Sequence, residues 1–273
     1  MSFLQALLLS ILQGVTELFP VSSLGHTVIV PALLGWHAIE KSDNFLPLVV
    51  TMHFGTAVAL LIYFRHDWLE FGLSVLGRKS DRGALDRRLF IMLVIATIPA
   101  AVLGFLLEKK LKHAFATPML AAVFLVINGL LLLLGERLRK SDGTVTLDTM
   151  GWESALGIGF AQALALIPGF SRSGTTVLGG IFVGLNHEDS ARFAFLMATP
   201  IIFGAAAHEI PKIDHHAFGL LALMCFVVSG LFAYASTSFL MRWFKAHDQG
   251  ALAPFAYYCA IAGFASIAWL NLI

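Results

Sequence analysis

Long apolar stretches alternate with short polar segments along the whole chain. Six of these stretches are long enough to cross a bilayer whose hydrocarbon core is about 30 Å thick. They lie near 45–64, 89–107, 118–135, 191–207, 218–240 and 252–273. The pattern predicts an all-α polytopic membrane protein with six transmembrane helices, folded as a single membrane domain over residues 1–273.

Two further hydrophobic regions, 3–35 and 152–185, are interrupted in the middle by residues that break helices. The first contains Pro20 followed by two serines, and the second contains Pro168 followed by Gly169. Proline removes a backbone donor and clashes with the preceding turn. Each half is then too short to cross the bilayer, so each region is predicted to be a re-entrant helical hairpin.

The two hairpins also match each other in sequence. When Gln13 is placed on Gln162, four more identities fall into register: Ser22 with Ser171, Gly25 with Gly174, Thr27 with Thr176 and Gly35 with Gly184. Duplicated broken helices are typical of inverted repeats whose site lies near the middle of the bilayer. The predicted order is hairpin, three spans, hairpin, three spans, over 3–35, 45–135, 152–185 and 191–273.

The distribution of charge predicts the topology. If each hairpin returns to the side it enters, one side of the membrane holds the loops 65–88, 136–151, 186–192 and 241–251, which carry most of the Lys and Arg residues. The positive-inside rule places these loops in the cytoplasm and both termini outside. The hairpins then enter from opposite sides, so their polar tips can meet.

Composition supports a membrane protein and argues against other classes. The 273 residues are 58% hydrophobic and 13% charged, and the formal net charge is +1. This balance gives no electrostatic basis for binding nucleic acid. Cys225 and Cys259 lie in apolar stretches and are predicted to be packed small hydrophobic residues without metal-ligand spacing. No Lys or Arg precedes the first apolar run, so we expect no cleavable signal peptide.

Arg172 is the most informative residue for function because apolar sequence flanks it on both sides. A guanidinium within the bilayer costs about 2.5 kcal/mol or more, so such a residue is a functional candidate by default. Its planar fork suits phosphate oxygens. The hydroxyl groups of Ser171, Ser173 and Thr176 beside Arg172 add donors, which predicts an anion-binding turn that binds phosphate. Ser22 of the first hairpin is a further candidate for phosphate binding.

The tip of the first hairpin supplies a carboxylate and a histidine. Glu17 follows Gln13 by one helical turn, so the two share a helix face, and a carboxylate in an apolar run needs a cation, a hydroxyl or Arg172 as its partner. The alternative is a structural ion pair between the hairpins. His26 is a candidate acid or base, whereas Ser22 and Ser23 are open between phosphate binding, helix capping and nucleophilic attack.

Other polar residues within the spans are secondary candidates. His53, in the span 45–64, either lines the cavity or packs structurally. Asn128 and Glu136 are predicted to be packing and interface residues.

The segments Gln13-Gly-Val-Thr-Glu17, Pro20-Val-Ser-Ser-Leu-Gly-His26 and Pro168-Gly-Phe-Ser-Arg-Ser-Gly-Thr-Thr176 resemble the signatures of the undecaprenyl-diphosphate phosphatase family, integral membrane enzymes of the bacitracin-resistance type. The resemblance implies removal of the terminal phosphate of undecaprenyl diphosphate, which recycles the carrier for peptidoglycan synthesis. It also implies a divalent cation, Mg²⁺ or Ca²⁺, and a location in the bacterial inner membrane with the site opening outward. By position, it implicates Glu17, Ser23, His26, Ser171, Arg172 and Thr176, with Ser22 and Ser173 close by.

This chain departs from the family pattern at two positions. Gln13 stands where many members have Glu, which leaves one carboxylate in place of a pair. Leu24 stands where many members have Thr, which removes a hydroxyl. We therefore expect Glu17, with Gln13 beside it, to be the metal-ligand candidate, and a scheme that needs two acidic ligands is in doubt.

The sequence leads to one main hypothesis and one alternative. In the main hypothesis, Glu17, Ser23, His26 and Arg172 are catalytic in a phosphatase acting on a polyprenyl diphosphate, whose tail lies in an apolar groove between spans. Either Ser23 or His26 attacks, or His26 activates water. The alternative is a transporter that flips undecaprenyl phosphate or carries another anion, because inverted repeats with broken helices are also transporter architecture. The small-residue patterns leave a homodimer open.

Overall fold

The computed structural model describes residues 2–36, 45–77, 83–114, 117–139, 145–209 and 219–272. In this part of the chain the regular structure is entirely helical. The helices are α1 (Phe3–Thr16), α2 (Ser23–Leu33), α3 (Phe45–Tyr63), α4 (Arg65–Val75), α5 (Gly83–Ala114), α6 (Pro118–Leu138), α7 (Trp152–Ala163), a 3₁₀ turn (Leu164–Leu166), α8 (Arg172–Phe182), α9 (His187–Glu209), α10 (Leu220–Ala246) and α11 (Ala253–Leu270).

Five of the described helices are long and apolar enough to cross a membrane. These segments are Gly83–Leu107, Pro118–Leu138, His187–Glu209, Leu220–Ala246 and Ala253–Leu270. A sixth candidate is the bent pair Pro47–Tyr63 and Arg65–Val75, whose axes differ by 75°. The chain is therefore an all-helical protein with five or six candidate membrane spans.

Helix α4 corrects the sequence-based expectation that 65–88 is only a loop. It contains Arg65, Asp67 and Glu70, and only Phe71 and Ser74 are buried in it. The search for apolar runs missed it because such a helix has too little continuous hydrophobicity to be recognised in that way.

The predicted breaks in the two hydrophobic regions are confirmed. Helix α1 ends at Thr16 and α2 begins at Ser23, and the second region is interrupted between Ala163 and Arg172 by the 3₁₀ turn and an irregular segment. Arg172, the first residue of α8, follows Ser23, the first residue of α2, by 149 residues, and the two helices have the same length of 11 residues.

The two short helices begin with the same hydrogen bonds. The Ser22 hydroxyl accepts from the backbone N–H of Gly25 at 3.1 Å, and the Ser171 hydroxyl accepts from that of Gly174, also at 3.1 Å. A serine in this position satisfies one of the free donors at a helix start. The capping interpretation of Ser22 is therefore confirmed, and the matched pairs of the sequence alignment occupy matched structural positions.

Small residues allow the long helices to approach each other closely. Helix α10 packs along α3, and α11 packs along α6. A Cβ added at Gly129 of α6 would lie 2.6 Å from the carbonyl oxygen of Ala256, and one added at Gly263 of α11 would lie 2.9 Å from that of Ala122. Backbones this close are characteristic of helix pairs in membranes, where packing replaces the hydrophobic effect.

The loops that the charge pattern placed on one side of the membrane do meet at one end of the bundle. Three arginines join them: Arg139 to Asp248 at 2.9 Å, Arg192 to Asp67, and Arg88 to the carbonyls of Asp148 and Met150 at 3.1 and 3.0 Å. Arg139 also contacts the buried His187, whose Nε2 lies 3.1 Å from a carboxylate oxygen of Glu136. Glu136 thus holds α6 against α9, in agreement with its predicted interface role.

Candidate functional site

The Glu17 carboxylate is the centre of a polar cluster between the tips of the two broken helices. Glu17 is 7% exposed and lies just after α1. Its Oε1 accepts a hydrogen bond from Arg172 Nη2 at 3.0 Å. Its Oε2 accepts from Gln13 Nε2 at 2.9 Å and from the Ser23 hydroxyl at 2.5 Å. The structure therefore brings together three residues that the sequence proposed as partners, from both hairpins.

Arg172 reaches this cluster from the start of α8. Its side chain is 15% exposed, and Nη2 is used by Glu17. Its other terminal nitrogen, Nη1, is buried and has no hydrogen-bond partner in the described part of the chain. A buried donor without a partner is costly. An anion with several oxygens, such as a phosphate group, would satisfy it.

The turn before α2 holds Ser23 beside Glu17. Ser22 has a φ of 68°, and it is the only non-glycine residue with positive φ among the described residues. Such a conformation is costly for a side chain with a Cβ and is retained where the surroundings enforce it. It lets Ser22 cap α2 while the next residue, Ser23, turns its hydroxyl to the carboxylate.

The hydroxyls of the second hairpin are directed at the backbone. Ser173 donates to the carbonyl of Phe19 at 2.9 Å, with Ser171 3.4 Å from the same oxygen, and Thr176 donates to the carbonyl of Arg172 at 2.6 Å. All three hydroxyl residues are at most 1% exposed. Ser171 and Ser173 join the second tip to the first, whereas the bond of Thr176 lies within α8. The predicted contact of all three with substrate phosphate stays a prediction.

His26 follows the turn in the chain, and its ring has polar partners other than Glu17. Its Nδ1 is 2.7 Å from the carbonyl oxygen of Ser22 and must donate to it, because a carbonyl only accepts. In the neutral ring, Nε2 is then an acceptor for the hydroxyl of Tyr258, 2.8 Å away. The polar partners of the ring are therefore Ser22 and Tyr258, not Ser23 or Glu17. Sequence analysis missed Tyr258 because nothing in the last span marks it.

Asn128 joins the tips of both hairpins through its side-chain amide. Its Nδ2 donates to the carbonyl of Pro20 at 3.1 Å, and its Oδ1 accepts from the backbone N–H of Ser171 at 2.9 Å. The residue is completely buried. The sequence identified it only as a packing residue, although an amide in an apolar span is a signal for a hydrogen-bonding role.

His53 of α3 also contacts the cluster, so it lines the site. Its Nε2 lies 3.5 Å from Glu17 Oε2, and its side chain is 21% exposed. Its Nδ1 donates to the carbonyl of Val49 at 2.9 Å.

The side chains present do not fit a metal ion held by the protein alone. No group of three His, Cys, Asp or Glu residues among the described ones could hold one. Both oxygens of Glu17 already accept hydrogen bonds, and Gln13 donates to one of them. Mg²⁺ and Ca²⁺ need several oxygen ligands. The expectation that Glu17, with Gln13 beside it, is a metal ligand stays a prediction, with Glu17 as a single carboxylate ligand.

An apolar cavity of about 360 Å³ lies between α3 and α10. On α3 the cavity is bounded by Val50, Thr51 and Phe54, and His53 is not among its lining residues. Its lining residues are Val50, Thr51, Phe54, Gly219, Ala222, Leu223 and Phe226.

Comparison with known proteins gives a consistent result. The profile of the family described as bacitracin resistance protein BacA matches residues 6–265. An undecaprenyl-diphosphatase of Acidiphilium cryptum is 51% identical, covering 98% of this chain and 98% of that protein. An undecaprenyl-diphosphatase of Granulibacter bethesdensis is 49% identical over 99% of this chain and 98% of its own. The undecaprenyl-diphosphatase 2 of Chromobacterium violaceum is 48% identical over 96% and 97%.

Proposed function

Because the chain belongs to the BacA family of bacitracin resistance proteins, we propose that it is an undecaprenyl-diphosphatase. It hydrolyses undecaprenyl diphosphate to undecaprenyl phosphate and inorganic phosphate, and so recycles the lipid carrier of peptidoglycan synthesis. The observation that supports this chemistry best is the contact of Glu17 with both Ser23 and Arg172. It places a base, a hydroxyl and an anion-binding group within reach of one phosphate.

Arg172 binds the terminal phosphate. Its unpartnered Nη1 donates to a phosphate oxygen while Nη2 stays near Glu17. As the bond between the terminal phosphorus and the bridging oxygen breaks, the guanidinium of Arg172 stabilises the negative charge on the phosphate oxygens, because it is already in place.

Ser23 is the nucleophile and Glu17 is its base. The Ser23 oxygen attacks the terminal phosphorus, and its proton passes to Glu17, with which it already shares a hydrogen bond. The bond between the terminal phosphorus and the bridging oxygen breaks, and undecaprenyl phosphate leaves. Water then attacks the phosphorus, the bond to the Ser23 oxygen breaks, and this oxygen takes back the proton from Glu17 as inorganic phosphate leaves. This route is favoured over His26 as the base, because the polar partners of His26 are Ser22 and Tyr258.

The fold is six spans and two re-entrant hairpins related as an inverted repeat. Helices α2 and α8 support this, because they have the same length, begin 149 residues apart as the sequence match requires, and have the same serine cap. In addition, α1 packs on α10 as α7 packs on α5. Helix α3 is the first span, and α4 follows it along the interface. The protein lies in the inner membrane with both termini outside, and the site opens outward.

The polyprenyl tail lies in the cavity between α3 and α10. The cavity is apolar, and its wall includes Phe54, which follows His53 in the chain. A tail held there would bring the diphosphate to Arg172 without moving it out of the bilayer.

A divalent cation, Mg²⁺ or Ca²⁺, would be held mainly by oxygens of the diphosphate, with Glu17 as the carboxylate nearby. The substrate supplies several of the hard oxygen ligands that the protein lacks. When bound, such a cation offsets negative charge on the phosphate oxygens.

Phosphate release in detergent tests the proposed function. Purified wild type is compared with Arg172→Ala on undecaprenyl diphosphate, with and without Mg²⁺ or Ca²⁺. Arg242→Ala serves as a control, because within the described residues the hydrogen bonds of Arg242 go to Ser238 of its own helix. We expect release by wild type and by the control, and a loss of roughly 10²–10³ in Arg172→Ala. Detergent abolishes the two compartments, so transport cannot contribute. A folded wild type that releases no phosphate would contradict the proposal and favour lipid flipping, which vesicles would then test.

A further inference from the structure

A series of hydrogen bonds connects the last helix to the proposed nucleophile. The hydroxyl of Tyr258, on α11, donates to Nε2 of His26 at 2.8 Å, and Nδ1 of the same ring donates to the carbonyl of Ser22 at 2.7 Å. That carbonyl belongs to the peptide bond whose nitrogen is part of Ser23. The Ser23 hydroxyl in turn donates to Glu17. Tyr258 is therefore linked to the reacting hydroxyl through one side chain and one peptide plane.

The hydroxyl of Tyr258 favours the form of the His26 ring that holds the Ser22 carbonyl. In a neutral imidazole, the hydrogen bond made by one nitrogen sets whether the other carries the proton. Because Nε2 accepts from Tyr258, Nδ1 has the proton that it donates to Ser22. The two rings also stack, with an angle of 12° between their planes and 5.6 Å between their centroids. The ring of Tyr258 thus holds the imidazole at its face and at one nitrogen.

The Ser22 peptide plane is a sensitive point for the position of Ser23. Ser22 has a φ of 68°, which is costly for a residue with a Cβ and is kept only where the surroundings enforce it. Its carbonyl accepts from the backbone N–H of His26 at 3.2 Å and from the ring. The ring therefore adds a side-chain bond to a peptide plane that the local backbone conformation disfavours.

Helix α11 provides a firm support for this contact. Cys259, next to Tyr258, is completely buried and lies 3.4 Å from Asn128 Nδ2 and 3.7 Å from the Pro20 carbonyl. Tyr258 itself is 46% exposed. Its hydroxyl can therefore be removed without leaving a cavity in the core, so a loss of function on its removal would come from the bond to His26.

We propose that Tyr258 is a positioning residue for the reaction, acting through His26 and the Ser22 carbonyl to hold the Ser23 hydroxyl in line with phosphorus. The proposal rests on the proposed function, in which Ser23 is the nucleophile. It assigns a role in the reaction to a helix that carries neither hairpin motif.

Tyr258→Phe tests this role, because it keeps the ring and removes only the hydroxyl. Tyr257→Phe is the matched control, since it removes the same group from the neighbouring residue, which is 57% exposed. Positioning affects attack and not binding. With undecaprenyl diphosphate in detergent, we expect Tyr258→Phe to lower kcat roughly tenfold or more and to leave KM within about twofold of wild type. Its thermal midpoint and all values for Tyr257→Phe should match wild type. An unchanged kcat would overturn the proposal.

A double-mutant cycle tests whether Tyr258 acts through His26. Asparagine at position 26 keeps an N–H donor near the position of Nδ1 but has no atom at Nε2. In His26→Asn, we therefore expect Tyr258→Phe to lower kcat no further. His26→Asn should also be more active than His26→Leu, which has no donor for the Ser22 carbonyl. An equal fall in both backgrounds would overturn the proposal. So would complete loss of release in both His26 variants, because the ring itself would then take part in the reaction.

NMR of the histidine ring nitrogens tests the orientation of His26 without turnover. The signals of His26 are those missing from His26→Asn, and they should change in Tyr258→Phe and not in Tyr257→Phe. A lower kcat with unchanged ring signals would mean that Tyr258 acts by another route, and it would overturn the proposal. If the signals respond but wild type releases no phosphate, the phosphatase assignment fails, although Tyr258 still orients His26. If wild type releases phosphate and neither kcat nor the signals respond, only the role of Tyr258 fails.

Discussion

Arg172 and Glu17 lie 3.0 Å apart although 155 residues separate them in the chain. Each residue comes from the break of a different hairpin, so the ion pair exists only when the two tips meet. A buried ion pair is expensive to form and is weak evidence for stability by itself. The unpartnered Nη1 of Arg172 and the Ser23 hydroxyl on Glu17 support the proposed binding role of this pair over a purely structural ion pair between the hairpins.

Replacing Glu17 by Gln tests its role as the base. The amide keeps the size of the side chain but cannot take the proton of Ser23. We expect phosphate release to fall by roughly 10²–10³, with little change in the elution profile of the detergent-solubilised protein. Glu153→Gln is the matched control, since Glu153 is an exposed acid in the first turn of α7. Activity above about a tenth of wild type would contradict the role of base.

Replacing Asn128 by Leu tests how the tips are held. The change leaves the Pro20 carbonyl and the Ser171 N–H without their buried partner. Each such loss costs about 1–3 kcal/mol. We expect a lower thermal midpoint in detergent and a several-fold loss of phosphate release, because the tips carry Glu17 and Arg172. Asn271→Leu is the control, since Asn271 is exposed at the end of α11. An unchanged midpoint would mean that the amide does not join the tips.

The parts of the site that could be predicted from the sequence are those encoded locally. Pro20 and Pro168 mark the breaks because each lies beside further helix-breaking Ser or Gly residues. A proline alone does not, since Pro31, Pro99 and Pro200 lie inside α2, α5 and α9. A buried charge such as Arg172 must have a partner. Asn128, Tyr258 and the contact of His53 could not be assigned in this way. Their partners lie in other helices, as with His26 and Tyr258, which are 232 residues apart. Such contacts depend on how helices rotate and pack, which hydrophobic pattern does not determine.

The fold, too, could be predicted in part from the sequence. Five of the six predicted spans coincide with long apolar helices, because a span must be apolar over its whole length. Helix α4 was missed because it is polar along much of its length. The grouping of the four loops was predictable from charge, whereas the arginine contacts that join them depend on the packed structure.

Replacing Asp248 by Asn tests how much its contact with Arg139 stabilises the end of the bundle where the basic loops meet. Burial raises the pKa of Asp248, but hydrogen bonds and charge from Arg139 outweigh this and leave the pKa below its usual value. A carboxylate whose pKa is lower in the folded state stabilises the fold above its unfolded pKa, and this contribution is lost as the pH falls through the folded pKa.

We therefore expect Asp248→Asn to have a slightly lower thermal midpoint than wild type at neutral pH. The difference should begin to shrink as the pH falls below about 4 and vanish below the lowered pKa of the folded state. It should be small, because the side chain is 63% exposed, and smaller still at high salt. Asp148→Asn, an exposed acid on a loop at the same end, is the control. A difference that grows on acidification would contradict the assigned sign.

Filling the cavity between α3 and α10 tests where the lipid tail binds. Ala222 is buried in the wall of this cavity, and a phenylalanine there would occupy space that a prenyl chain needs. Because a prenyl chain contributes affinity in proportion to the apolar area it buries, we expect Ala222→Phe to raise KM for undecaprenyl diphosphate several-fold. Inorganic phosphate release at saturating substrate should change less, since Glu17, Ser23 and Arg172 are untouched.

The control for Ala222→Phe is the same kind of substitution at a second residue of α10. Leu231→Phe also adds an aromatic ring to α10, but Leu231 is 65% exposed and is not part of the cavity wall. It should leave KM near that of wild type. If both variants raise KM equally, the effect comes from the helix surface as a whole. If neither does, the tail lies elsewhere between the spans, and the cavity has no part in holding the substrate.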